Sequence, residues 1–125
     1  MKRLVILLGA FLLVANVAVS QTLPNPTGAE WTCSADHSSI SSYEIGWFLA
    51  GATAPVSTTD LGKPIPTAAN LCTSAINVMP LAFNEYTAKV RCKVAGSPVI
   101  YSEWSDPSNL FQRVPGKPGG VVVKK

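Results

Sequence analysis

Histidine is almost missing from this sequence: His37 is the only one in 125 residues. It sits in a polar, serine-rich stretch, residues 35–42, with Asp36 before it and Ser38 and Ser39 after it. Neighbours in one loop do not make a catalytic triad, which needs acid, base and nucleophile converging from separate elements. Cysteine is also sparse. Cys33, Cys72 and Cys92 lack the paired short spacings of a structural zinc site. Only a Cys3His set with His37 would supply four ligands, and thiols outside the cytosol favour disulfides over metal. Phosphate-binding glycine loops, carboxylate-rich calcium loops and an Arg-Gly-Asp triplet are all absent. The expectation is a non-catalytic protein with no metal and no cofactor.

Acidic residues number only seven, against ten basic ones, a net charge of +3. That excess does not point to nucleic acid. Lys2 and Arg3 precede an uncharged, mostly apolar run over residues 4–19, and Ala18 and Ser20 place small residues before Gln21. This is the pattern of a secretory signal peptide, residues 1–20. Retained, it would be a membrane anchor, but the run falls short of the roughly 20 residues that span a bilayer. No cysteine follows it to carry a lipid. Without the first twenty residues, eight basic face seven acidic residues, a net of +1. Generic nucleic-acid binding then loses its electrostatic basis. The short leader suits a bacterial or phage-encoded protein, secreted or placed in the periplasm or at the cell surface. All three cysteines lie beyond it, in a disulfide-permitting setting, and their odd count leaves one thiol over.

An apolar period of 3.6 residues is missing too, outside the leader, so helices are not expected. Alternation with period two is present instead. Tyr86, Ala88, Val90 and Cys92 fall on one face, and Thr87, Lys89, Arg91 and Lys93 on the other. Tyr43, Ile45 and Trp47 alternate in the same way, and so do Cys72, Ser74, Ile76 and Val78 over residues 71–81. Trp31 and Cys33 share a face of a short strand, and residues 109–114 form a last one. Residues 51–70 hold Pro55, Pro64 and Pro66, which restrict them to one short edge strand near 56–59. The tail, residues 115–125, is rich in Pro and Gly and then basic. About seven short strands in about a hundred residues imply an all-β, two-sheet antiparallel β-sandwich over residues 21–114.

The spacing of Leu81 and Tyr86, followed by Ala88, Val90 and Cys92, resembles the corner and sixth strand of the fibronectin type III family, an immunoglobulin-like fold. Tyr43-x-Ile45-x-Trp47 resembles its third strand. Tyr101-Ser-Glu-Trp104-Ser resembles the WSxWS box of cytokine-receptor domains, with Tyr in the first Trp position. The resemblance implies that the Tyr86 hydroxyl bonds back to the chain just upstream, within 81–85. It also implies a cation–π ladder of Lys89, Arg91 and Lys93 with Tyr101 and Trp104. For the family's core Trp the resemblance offers either Trp31, with a longer loop, or a replacement by Cys33, which is favoured, and its topology implies that all three cysteines fall at one pole. Closing Cys33–Cys72 or Cys33–Cys92 is worth roughly 3.9 or roughly 4.2 kcal/mol by loop entropy, too close to choose. The inter-sheet pair, Cys33–Cys92, is slightly favoured because inward residues of facing sheets span the core.

The functional expectation is an exported module that binds a protein or glycan through its loops, with residues 51–69, residues 36–42 and exposed parts of the basic strand face as candidate contacts. The alternative is a structural protein that self-assembles. It would do so through the odd cysteine, or through the strand Val121–Val122–Val123 lent to a partner's sheet edge.

Overall fold

The computed structural model describes residues 22–125; the export leader expected over residues 1–20 lies outside them. The described chain is all-β, with two sheets arranged as in a β-sandwich. Its strands are β1 (Leu23–Pro24), β2 (Gly28–Thr32), β3 (Ser42–Leu49), β4 (Ser57–Gly62), β5 (Leu71–Ala75), β6 (Asn84–Val94), β7 (Ile100–Tyr101) and β8 (Phe111–Arg113). A single 3-10 turn, His37–Ser39, lies in the polar loop before β3. The larger sheet runs β1-β8-β6-β3-β4, with β7 also on β6; the smaller holds only β2 and β5.

Three expectations need correction. The sheets are not wholly antiparallel, because β1 pairs with β8 in parallel. The strand expected over 71–81 ends at Ala75: Asn77 accepts the Met79 N–H, the Leu81 N–H bonds to the Val78 carbonyl, and the chain turns. The edge strand in the proline-rich stretch is β4, longer and later than 56–59, and it begins after Pro55 and ends before Pro64.

Alternation decides which side chains go inside. Tyr43, Ile45 and Trp47 of β3 point inward, and Tyr86 and Phe111 meet them from β6 and β8. Trp47 packs edge-on against Phe111 at 5.9 Å, and Tyr86 stacks on the same ring at 5.7 Å. Burying each such ring contributes about 1.5–3 kcal/mol. A second cluster, of Cys33, Ile40, Tyr43 and Cys72, joins the first through Leu61 and Val90, which touch both. The core is therefore continuous along the sandwich. Yet β3 is buried on both faces from Ser42 to Phe48, unlike a strand with one wet side. Something also covers its outer face.

The Tyr86 hydroxyl donates to the Ala82 carbonyl at 2.7 Å, four residues upstream, and the ring is 2% exposed. Water cannot replace this bond. Tyr86→Phe should therefore cost about 1 kcal/mol in urea denaturation with no change of fold. A wild-type midpoint would show that the corner contributes nothing.

Candidate functional site

The cover over β3 starts at Arg91. Its guanidinium lies between two rings, 3.7 Å from the centre of Tyr101 and 4.2 Å from that of Trp104. Its Nε and Nη2 donate to Glu44 Oε1 at 2.8 and 2.6 Å. Glu44 is itself buried, so the pair is partly desolvated. Trp104 meets Phe48 edge-on at 5.3 Å, and Lys89 Nζ stands 4.6 Å from the centre of the Phe48 ring. Gly46 makes room for this stack: a Cβ there would lie 2.8 Å from Trp104 Cη2 and 2.9 Å from Phe48 Cε1.

Lys93 is placed elsewhere. Its Nζ lies 3.7 Å from Asp60 of β4, because Lys93 sits opposite Ser42, and Ser42 already donates to Asp60 at 2.9 Å. A further contact of the same kind, Arg113 over Phe83 at 4.9 Å, gave no recognisable pattern in the sequence.

Between β7 and β8 the chain keeps to the edge of β6 in an unexpected way. Ser102, Ser105 and Ser108 donate their N–H groups to the carbonyls of Cys92, Val90 and Ala88 at 3.0, 2.8 and 2.8 Å. Their hydroxyl oxygens accept the N–H groups of the same three residues at 2.8, 3.0 and 2.9 Å. Three residues of this segment thus match two of β6, so it coils along the edge and is not an ordinary strand. Tyr101 and Trp104, three apart, come round to the same side and clasp Arg91. The signal was present as a triplet repeat, Tyr-Ser-Glu, Trp-Ser-Asp, Pro-Ser-Asn, with serine always in the middle.

At the opposite end from the Tyr86 corner, the cysteines gather. The bond joins Cys33 to Cys72, not to Cys92, which corrects the favoured pairing. Strands β2 and β5 are hydrogen-bonded neighbours, Cys33 N–H donates to the Asn70 carbonyl at 3.0 Å, and the two Cα atoms are 5.4 Å apart. That lies inside bridging range. Facing sheets stand about 10 Å apart and must be drawn together to be bridged. Here Tyr43, the strand partner of Cys92, packs on Trp31 of the facing sheet at 5.3 Å and holds the space open. Cys92 remains a partly buried free thiol beside the bonded pair.

His37 closes this pole. Its Nδ1 lies 2.8 Å from the Tyr43 hydroxyl and 3.9 Å from Cys72 Sγ. The Tyr43 oxygen also accepts the Ser34 N–H at 2.9 Å. Burial pushes the Tyr43 pKa up, the Ser34 bond opposes it, and Cys92 adds to the rise. The phenol therefore keeps its proton and donates it to Nδ1 when the imidazole proton is on Nε2. Cys33, His37 and Cys72 bring ligand-type atoms within 4.8 Å of one another. The disulfide leaves neither sulphur of that group as a thiolate, the form that binds zinc.

Two loops meet over this pole. Lys63 Nζ donates to the Ile40 carbonyl at 3.1 Å, tying the segment after β4 to the polar loop before β3. Asp60 accepts from Ser42 and from the Gly62 N–H at 2.7 Å. Thr67, Asn70 and Leu71 close a turn in which the Thr67 N–H bonds the Leu71 carbonyl at 2.9 Å and Asn70 takes a left-handed φ of 62°. Between these anchors stands Ile65, flanked by Pro64 and Pro66 and 91% exposed.

The Gly62 N–H, the Ser42 hydroxyl and Lys93 together hold the Asp60 carboxyl below the usual aspartate range. A lowered folded-state pKa stabilises the fold above the unfolded value, about pH 4. That contribution is lost as pH falls through the folded value. Asp60 is half exposed, so the effect is small. Melting curves of Asp60→Asn should fall less between neutral pH and the acid limb than those of the wild type. Parallel curves would show that Asp60 is not linked to folding.

Comparison with protein-family models, curated proteins and solved structures found no match to this chain.

Proposed function

We propose that the protein is an exported, non-catalytic binding module, of the fibronectin type III or immunoglobulin-like kind, that grips a protein partner with the two loops at its disulfide pole. The supporting observation is Ile65. An aliphatic side chain costs free energy when held in water, yet this one is displayed by a loop pinned at both ends, to Ile40 and at the 67–71 turn. Pinning keeps the entropy cost of binding low. Of the two partner classes, an apolar tip favours protein over glycan. The order of the Tyr43–Trp47 and Leu81–Cys92 patterns supports the family reading. The disulfide is compatible with the oxidising compartment that an export leader implies.

The test is capture of a partner from the surface fraction of the producing cells by residues 21–125. Wild-type protein should retain a defined protein and protect the amides of residues 36–42 and 62–70 from exchange. Ile65→Asp should weaken that capture by about tenfold or more, the scale of an interface hot spot, without changing the melting temperature. Equal capture by both would remove this surface from the reading.

A further inference from the structure

Among the described residues the smaller sheet has two strands, and only one side of β2 is used. The Cys33 N–H to Asn70 and the Ile76 N–H to the Thr27 carbonyl fix the phase of the β2–β5 ladder. Residues 27, 29, 31 and 33 therefore bond to β5, and the backbone groups of Gly28, Glu30 and Thr32 face the open side. Beside that edge, between the sheets, lies a groove of about 530 Å³. Its floor is apolar, with Ala29, Trp31, Ile45 and Val90. Its exposed charges are acidic, with Glu30 on one side and Glu103 and Asp106 on the other; Arg91, the one cation in the lining, is already paired with Glu44. Trp31 adds a need: among the described residues its buried indole N–H has no acceptor, a state that costs free energy unless one arrives.

The chain carries a segment that complements this groove. Residues 121–125 read Val-Val-Val-Lys-Lys, five residues against the five of β2. The three valines are 86%, 76% and 91% exposed. Three bare β-branched residues would supply apolar side chains to the floor, and Lys124 and Lys125 carry the charge opposite to the rim. Residues 115–120, with two prolines and three glycines, span about 20 Å when extended, an open tether. The described residues do not fill this groove. The tail leaves β8 at Val114, where Asn25 of the β1–β2 crossover bonds to it twice, at 3.0 and 2.9 Å. Its valines stay in solvent.

We propose that residues 121–125 of a second copy of this chain lie in the groove as an added strand on β2. The backbone groups of Gly28, Glu30 and Thr32 pair with the incoming strand, and its carbonyls come within reach of the Trp31 indole. Reciprocal exchange gives a twofold dimer; head-to-tail exchange gives a ring or an open chain. Both use a surface separate from the Ile65 pole, so loss of one activity leaves the other measurable.

Light scattering on the full exported chain over a concentration series tests this, with exchange read at the amides of Gly28, Glu30 and Thr32. The wild type should assemble as concentration rises, with those amides protected. Val122→Lys alters only an exposed tail residue, so it leaves folding intact. It should stay monomeric to at least tenfold higher concentration with the amides open. A synthetic peptide of residues 119–125 added to that variant should restore their protection. Glu30→Lys should weaken assembly, and Lys124→Glu in the same chain should recover part of it. A monomeric wild type, with the edge open or protected, overturns the proposal. So does assembly equal in Val122→Lys, or assembly that survives as a covalent dimer on a non-reducing denaturing gel, which would belong to Cys92.

Discussion

Replacing Arg91 by alanine is expected to cost about 3 kcal/mol, the low end for breaking a buried ion pair by removing one partner. The loss has two parts. Glu44 stays buried beneath the sheet face with no cation, and Tyr101 and Trp104 lose the planar group between them, each contact worth roughly 0.5–1 kcal/mol. In a domain of about a hundred residues this lowers the melting temperature by roughly 12–24 °C. Arg91→Lys should recover little, because an ammonium neither stacks between rings nor forks onto a carboxylate. Adding Glu44→Gln to Arg91→Ala should recover part of the loss, since the stranded charge is then gone. Urea denaturation followed by tryptophan fluorescence reads both effects. A loss under about 1 kcal/mol would mean that the stack decorates the sheet and does not hold it, as exposed pairs do.

The disulfide carries the other large effect. Cys33→Ala with Cys72→Ala, or reduction, should remove roughly 3.9 kcal/mol, the loop-entropy value for cysteines 39 apart in sequence. Both loops of the candidate binding pole rest on this link, so exchange at residues 36–42 and 62–70 should quicken well before the sheets open. Cys92→Ala leaves the cross-link in place and should cost much less. Peptide mapping under non-reducing conditions decides between pairings. A bond from Cys33 to Cys92, or a midpoint unmoved by reductant, would contradict the arrangement.

The two effects show which features can be read along a chain. Alternating runs around Ile45 and Val90 identify β3 and β6 and assign their inner faces, because side-chain direction in a strand depends only on parity. Prolines at 55, 64 and 66 confine structure between them for a reason equally local. The Leu81–Tyr86 spacing belongs to this group: the hydroxyl of Tyr86 finds its acceptor four residues away. Basic residues on the outer face of β6, with aromatic residues ten or so positions later, are visible in the same way.

What those residues touch is another matter. Arg91 and Lys93 have the same parity on the same strand, yet one lies between two rings and the other reaches Asp60. The difference comes from register: Arg91 sits opposite Glu44, and Lys93 opposite Ser42. Strand β3 is buried on both faces, yet nothing local to it announces Trp104, which arrives from nearly sixty residues on and settles above Gly46. The serine triplet was in view but conforms to neither a helical nor a strand period, so it has meaning only against the edge of β6.

The cysteines mark the boundary most clearly. The family resemblance implies one pole for all three, and chain entropy separates the two pairings by less than its own error. Sheet membership chose between them. Cys33 directly follows β2 and Cys72 lies in the adjoining β5, whereas Cys92 belongs to the other sheet with Tyr43 and Trp31 in the intervening space. Strand, face and turn follow from interactions a few residues long, which any window of the chain contains. Pairing, register and the free edge of β2 are set by contacts between distant segments, and only the folded molecule brings those together.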